Sequence, residues 1–310
     1  MAGSQPTVDI VTVTYNSAAL IDAYVAGLAG LDYPPERLSL TIVDNASIDG
    51  TPSALPRALA ALSFPAAVIA NPRNVGFGAA NNRAAEASTA DFLLFLNPDA
   101  VLAPGGLTRM VATAVRETRI GLVDTAHEPV PIPKWVDPAT GDTDWCSGAA
   151  LLARRTAFRE VGGFDPFFFL YAEDVDLSWR MWLADWRCVH EPRARLRHVR
   201  DAGNGGTKPL EWRYTVRHSF AMRFIYDTLP GVVRHGVRGG RYLLSPRTAG
   251  PTRRAVAEGL AGWALGLPHL VRRRRWAQRR MAGRSRERYT FTEWHYGRWA
   301  PEPGRRAGPP

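Results

Sequence analysis

An apolar run ending in a carboxylate, Phe95-Leu96-Asn97-Pro98-Asp99, is the first place where this chain could do chemistry. A lone Asp at the end of a strand repels a diphosphate, and a divalent cation between the two removes the repulsion. One carboxylate plus phosphate oxygens suits Mg²⁺ or Mn²⁺, which take few protein ligands and keep their waters. By itself, Pro98-Asp99 reads equally well as the start of a turn. A richer cluster follows in Gly162-Gly163-Phe164-Asp165-Pro166-Phe167-Phe168-Phe169-Leu170-Tyr171-Ala172-Glu173-Asp174-Val175-Asp176-Leu177. Three acids at a helix start are favoured by the helix dipole whatever their use. Beside an aromatic wall they also suit a sugar, whose rings stack on aromatic faces while a carboxylate takes a hydroxyl proton. His198, at the end of a short strand, offers an imidazole to the same cation.

Two further segments carry polar residues at strand ends. In Val43-Asp44-Asn45-Ala46-Ser47-Ile48-Asp49-Gly50-Thr51, Asp44 is placed to meet a base or ribose, and Asp44 to Thr51 serve equally as a turn and N-cap. In Asn71–Asn82 the pair Gly76-Phe77-Gly78 invites a dinucleotide reading, but the third glycine of that fingerprint falls at Asn81 and the fingerprint fails. A tight turn into a helix explains the glycines and leaves Asn74 and Asn82 for a ligand.

The elements that must position these residues alternate. Val8–Thr14, Leu38–Val43, Ala66–Ala70 and Phe92–Leu96 read as strands; Ala18–Leu31, Ser53–Leu62 and Gly78–Ala87 read as helices between them. This is the pattern of βαβ units on a parallel sheet, whose ligand crevice lies beyond the carboxyl ends of the strands. Further on, Gly121–Val123, Arg187–Val189 and Arg195–Val199 are expected as short strands, Arg154–Val161 and Glu173–Leu183 as helices, and His127–Asp144 as a loop. Asp201–Lys208 reads as a glycine-rich loop. From Leu210 the pattern is helical with breaks at Pro230, Pro246, Pro251 and Pro268, and the segment from Ala300 reads as a disordered tail.

The 310 residues allow one large domain with an addition, here 1–208 followed by a helical basic extension over 209–299 and a tail over 300–310. The net charge of +10 is divided: residues 1–207 hold 17 basic and 23 acidic side chains, residues 208–310 hold 22 and 6. The basic part is expected to meet an anionic membrane surface or a second copy in a homo-oligomer. Nucleic acid is not expected, since no zinc-finger, RNP or helix-turn-helix signature is present. Nine arginines lie within Val271–Arg288, and Trp263, Leu265, Leu267 and Trp276 are the apolar residues expected at a membrane interface. Cys146 and Cys188, the only cysteines, are expected buried and reduced, as in a cytoplasmic protein peripheral on the inner face of the cell membrane.

Together, VTYN, VDNASIDGT, NPRNVGFGAANN, LFLNPD, CSGAALLARR, GGFDPFFFLYAEDVDLSWR and ARLRHV resemble, in order and spacing, the inverting GT-A glycosyltransferases called family 2, and most of all their bacterial rhamnosyltransferase-like branch. The resemblance covers Val8 to Gly206. It implies a GT-A fold, a Rossmann-like mixed and mostly parallel sheet with flanking helices. It also implies transfer of a sugar, rhamnose foremost, from a dTDP- or UDP-linked donor to a hydroxyl of a glycan or polyprenyl-linked acceptor. Thr14, Tyr15, Asn16 and Asp44 would line the nucleoside pocket, with Asn74, Asn82, Asn97 and Asp99 framing the donor. Asp99 would hold the cation as the last residue of an Asn-Pro-Asp variant of the DxD motif, with His198 completing the metal shell. Asp174 would be the catalytic base, with Asp165, Phe168, Tyr171 and Glu173 forming the acceptor site. A non-catalytic nucleotide-sugar binder is the alternative, against which Asp99 and Asp174 both speak.

Overall fold

The structure, a computed structural model, describes residues 5–198, 209–244 and 250–282 together with 294–295 and 298–299. It divides into two compact units: Met1–Ile132, Val136–Phe169 and Glu173–Asp201 form the first, and Pro133–Trp135, Leu170–Ala172 and Ala202–Pro310 form the second. The loop expected over Asp201–Lys208 and the tail expected from Ala300 lie outside the described residues.

In the first unit the strands β1 (Val8–Thr14), β2 (Leu38–Asp44), β3 (Ala66–Ala70) and β4 (Phe92–Leu96) appear where the apolar runs predict them. The helices α1 (Ile21–Ala29), α2 (Thr51–Leu59) and α3 (Phe77–Ala87) connect them, α1 shorter at both ends than its sequence pattern suggests. After β4 come β5 (Ala100–Leu102), α4 (Gly106–Arg116), β6 (Ile120–Glu128), β7 (Ala150–Arg154), α5 (Arg155–Glu160), α6 (Glu173–Leu183) and β8 (Arg187–His198). The eight strands make one sheet in the order β3-β2-β1-β4-β7-β6-β8-β5. Strands β3, β2, β1 and β4 run parallel, as do β6 and β8, whereas β7 runs against both its neighbours and β5 against β8. The sheet is therefore mixed. The two late strands expected from sequence are one continuous strand, β8, with a register shift opposite Thr125 and Ala126 that absorbs Pro192.

Burial explains this order. β1 and β4 are apolar on both faces because helices cover both. Val8, Ile10, Leu40, Ile42 and Leu94 pack with Tyr24, Leu28, Leu55, Leu107 and Met110 on one face. Val11, Val43, Leu93 and Phe95 pack with Ala80, Ala84, Phe158, Leu177 and Met181 on the other. After β3 the chain crosses to the other side of β1 and enters β4, so the β1/β4 edge is the switch point at which open α/β sheets form their crevice.

The second unit holds α7 (Pro209–Tyr226), α8 (Leu229–Leu244), α9 (Gly250–Leu265) and α10 (Leu267–Met281). Pro230, Pro251 and Pro268 each stand second in a helix. The helical stretch breaks where these prolines predict, and each proline sits in the first turn of the helix that follows, where a residue needs no intrahelical partner for its N–H. Pro246 lies outside the described residues.

Candidate active site

At the carboxyl ends of β1 and β2, Asp44 is buried and accepts hydrogen bonds from Thr14 Oγ1 (2.9 Å), Ser47 Oγ (2.6 Å) and Ser47 N (3.0 Å). Asn16, with φ of 52°, donates its N–H to Ser47 Oγ and accepts from Ile48 N, tying this loop to the one after β2. Tyr15 stands half exposed beside them with its ring available for stacking.

Asn45, which the sequence reading passed over, organises the next layer. Its Oδ1 accepts from Asn71 Nδ2 (2.9 Å) and Val75 N (3.1 Å), and its Nδ2 donates to Asn74 Oδ1 (2.8 Å) and Gly76 O (3.3 Å). Arg83 closes the network by donating to Asn71 Oδ1 and to Ala70 O. Asn74 is therefore held at the rim of the β2 end, with its Oδ1 also accepting from Gly76 N at 2.9 Å.

Helix α3 fastens the loop that leads to α6. Asn82 Oδ1 accepts from Phe164 N (2.9 Å) and Asn82 Nδ2 donates to Phe164 O (2.7 Å), while Phe77 N donates to Phe169 O (2.9 Å). A Cβ at Gly76 would stand 2.5 Å from Phe169 O, and one at Gly78 would stand 2.9 Å from Phe164 Cβ. Only glycine permits that approach, and at Gly76 the φ of 88° requires it as well. The amide of Asn82 is thus engaged in holding this loop. Asp165 Oδ1 accepts from Phe167 N at 3.0 Å, so Asp165 turns its own loop. The aromatic wall expected here is corrected at Phe168, which is fully buried and offers no face to a sugar. Phe164 is likewise core, among Phe77, Phe95 and Phe158. Apolar rings in such a segment fill the interior first.

Asp174 begins α6. Its Oδ2 accepts from Gly148 N (2.9 Å) and its Oδ1 from Val175 N (2.8 Å), which fixes the carboxylate. Residues 146–148 are pinned in turn: Cys146 N donates to Ser178 Oγ, and Ser147 N donates to Asp124 Oδ2. Neighbouring Glu173 is buried, its Oε2 meets no hydrogen-bond partner, and burial first and the Asp174 charge second push its carboxyl well above the usual range. Burial thus favours the protonated form of Glu173. Tyr171 belongs to the second unit, where it and Ala172 adopt φ near 70° (69° and 67°) and the carbonyls of Leu170 and Tyr171 each lie 2.9 Å from His218 Nδ1. Two carbonyl partners require a proton on that nitrogen.

Asp99 and His198 meet through a pairing the sequence did not reveal. Ala100 pairs with His198 in the β5–β8 register, and Asp99 Oδ2 then lies 3.3 Å from His198 Nε2. Asp99 Oδ1 and His198 Nδ1 are both buried without a hydrogen-bond partner. A carboxylate and an imidazole 3.3 Å apart, each keeping a further buried polar atom unpartnered, suit a divalent cation that draws its other ligands from phosphate and water. Among the described residues no group of three or more His, Cys, Asp or Glu is placed to hold a metal ion. Asn97 donates its N–H to Ala149 O at 3.0 Å, one residue from the amide that holds Asp174.

The N-acetylglucosaminyl-diphospho-decaprenol L-rhamnosyltransferase of Mycobacterium tuberculosis is 29% identical over 276 residues, covering 74% of this chain and 87% of that protein. Rhamnosyltransferase WbbL of Escherichia coli is 34% identical over 77 residues, 25% of this chain and 29% of that one. In fold, the chain is similar to the mannosyltransferase PcManGT from Pyrobaculum calidifontis solved with GDP-Man and Mn²⁺ (TM-score 0.57, 18% identity, 91% of this chain and 77% of that one). It is also similar to S. aureus TarS solved with UDP-GlcNAc (TM-score 0.59, 16% identity, 88% and 89% covered). Residues 9–176, more than half of the chain, match the model of Glycosyl transferase family 2, and with its GT-A-like sheet and helical C-terminal region the chain belongs to that family of glycosyltransferases.

Proposed function

We propose that this glycosyltransferase moves rhamnose, with inversion, from a dTDP- or UDP-linked donor to a hydroxyl of a polyprenyl-linked glycan. The observation that carries the reading is the linkage of the two chemical ends through adjacent residues. Gly148 N holds the Asp174 carboxylate, and Ala149 O holds Asn97, two residues before Asp99. Nucleoside binding at Asp44 and Tyr15 and a diphosphate near Asp99 put the sugar's anomeric carbon toward Asp174. There the acceptor hydroxyl gives its proton to the Asp174 carboxylate as its oxygen bonds to the anomeric carbon. The bond from that carbon to the diphosphate oxygen breaks on the opposite face, and its electrons leave with the nucleoside diphosphate. Asp99 and His198 would hold a divalent cation, Mg²⁺ or Mn²⁺, which supplies positive charge to the leaving diphosphate. The names of the mycobacterial relative and of WbbL support rhamnose, and the diphospho-decaprenol in the former supports a lipid-linked acceptor. A thermal-shift series of nucleoside diphosphates with and without Mn²⁺, followed by nucleoside diphosphate release from matching sugar donors, tests the reading. Stabilisation by dTDP or UDP only with the cation, and turnover with the rhamnose donor, are expected. Turnover with a different sugar and none with rhamnose would reject the donor.

A further inference from the structure

Helix α8 divides its surface into three sectors that do different things. On the packed side His235 Nε2 lies 3.0 Å from Ser219 Oγ, its ring sits 4.4 Å from that of Phe220, and a Cβ at Gly239 would meet the Phe220 ring at 2.9 Å. At 3.6 residues per turn, Leu229, Val233, Val237 and Leu244 fall on a second side. They are 63%, 65%, 50% and 85% exposed, so water covers a continuous apolar stripe. Gly236 and Gly240 lie on the same side, and a Cβ at either meets nothing within 4 Å. Arg234 and Arg241 stand exposed along one flank of the stripe, and the helix contains no acid.

An exposed apolar row of this length marks an interaction surface. A second copy of the chain is a poor occupant, since pairing stripe to stripe brings two arginine rows together with no carboxylate on the helix to offset them. An anionic lipid surface accepts both features: the stripe enters the boundary between headgroups and acyl chains while the arginines stay at the phosphates. Among the described residues no helix is long and apolar enough to cross a membrane, so α8 would lie in the surface plane. The expected contact on α9 and α10 is in part occupied otherwise. Trp263 packs on Phe220 and Phe224, Arg273 donates to Tyr226 Oη, and Arg274 donates to the carbonyls of Phe224 and Asp227.

We propose that α8 seats the protein on an anionic bilayer, with Leu229, Val233, Val237 and Leu244 inserted and Arg234 and Arg241 on lipid phosphates. The inference rests on this helix alone and makes no use of the donor or the reaction. Sedimentation of the full chain with vesicles of equal parts phosphatidylglycerol and phosphatidylcholine tests it, against vesicles of phosphatidylcholine alone. Binding to the anionic vesicles that weakens with salt is expected, with loss of about fivefold for each of Arg234→Gln and Arg241→Gln. The double variant Val233→Glu, Val237→Glu is expected to abolish it while circular dichroism and melting stay unchanged, both sites being exposed. Three results would overturn the proposal: no binding to anionic vesicles at low salt, equal binding by the double glutamate variant, or a particle mass that falls from dimer to monomer in that variant, which would make the stripe a contact between copies.

Discussion

Phe164 is held at both its amide and its carbonyl by one side chain, Asn82 of α3. The loop that precedes α6 is thereby fixed to α3. Replacing Asn82 by Ala leaves a backbone N–H and C=O of a buried residue unpaired, at about 1–3 kcal/mol for each group. Urea unfolding of Asn82→Ala is expected to show a loss of at least about 2 kcal/mol. Turnover should fall with it, since Asp174 follows that loop.

Asp174→Asn keeps an oxygen for the Gly148 amide and removes the proton acceptor. Turnover is expected to drop by about 10²–10⁴-fold. Calorimetric titration with the nucleoside diphosphate should give unchanged affinity, and unchanged turnover would remove the base assignment.

Arg83 secures Asn71 and the end of β3, and Asn71 stands five residues before the Gly76 turn that Asn45 and Asn74 also hold. In Arg83→Leu the network loses its outer support, so donor KM is expected to rise several-fold with kcat little changed. Initial rates against donor concentration separate the two. A fall in kcat at constant KM would show that Arg83 acts elsewhere.

His198→Ala and Asp99→Asn each remove half of the Asp99–His198 pair. Both are expected to weaken by more than about tenfold the Mn²⁺ dependence of nucleotide binding, read as the melting-temperature gain at rising Mn²⁺. Without the cation, neither the wild-type protein nor the variants should gain melting temperature from the nucleotide.

Two carboxyls give opposite pH slopes. Burial alone would raise Glu191, but hydrogen bonds from Arg193 and Thr113 prevail and bring it down to about 2. Its stabilisation is present above the ordinary value of 4.5 and is lost as pH falls toward about 2. Glu173 lies the other way. Its stabilisation is complete below 4.5 and is lost as pH rises through its raised folded value. Urea unfolding across pH should show Glu191→Gln flattening the acid limb and Glu173→Gln flattening the loss at higher pH.

The first half of the sheet was legible because β1 to β4 are apolar runs with turn residues between them, and the strand-end polar residues follow from that pattern. β5, α4 and β7 were not foreseen. β5 has three residues, too few for a period, and β7 lies inside the Ala-rich Ala149–Arg154, which alternates with nothing. Missing β5 left the expected meeting of Asp99 and His198 without a structural route, which is a matter of register between distant segments. Gly148 and Asn45 were missed for related reasons. One acts through its backbone amide, which no side chain announces, and the other sits in a motif where Asp44 draws the eye. Phe168 was misassigned because a run of aromatics does not say which ring turns inward.

Because β7 runs against β4 and β6, the chain reaches the crevice through the beginning of a strand, after the long connection spanning residues 129–149. Lengthening or recomposing that connection leaves the pairing of the core strands untouched, yet changes what stands beside Asp174. On the proposed reading, a change of acceptor therefore asks only for editing of that peripheral stretch, with the surroundings of Asp44 and Asp99 left as they are.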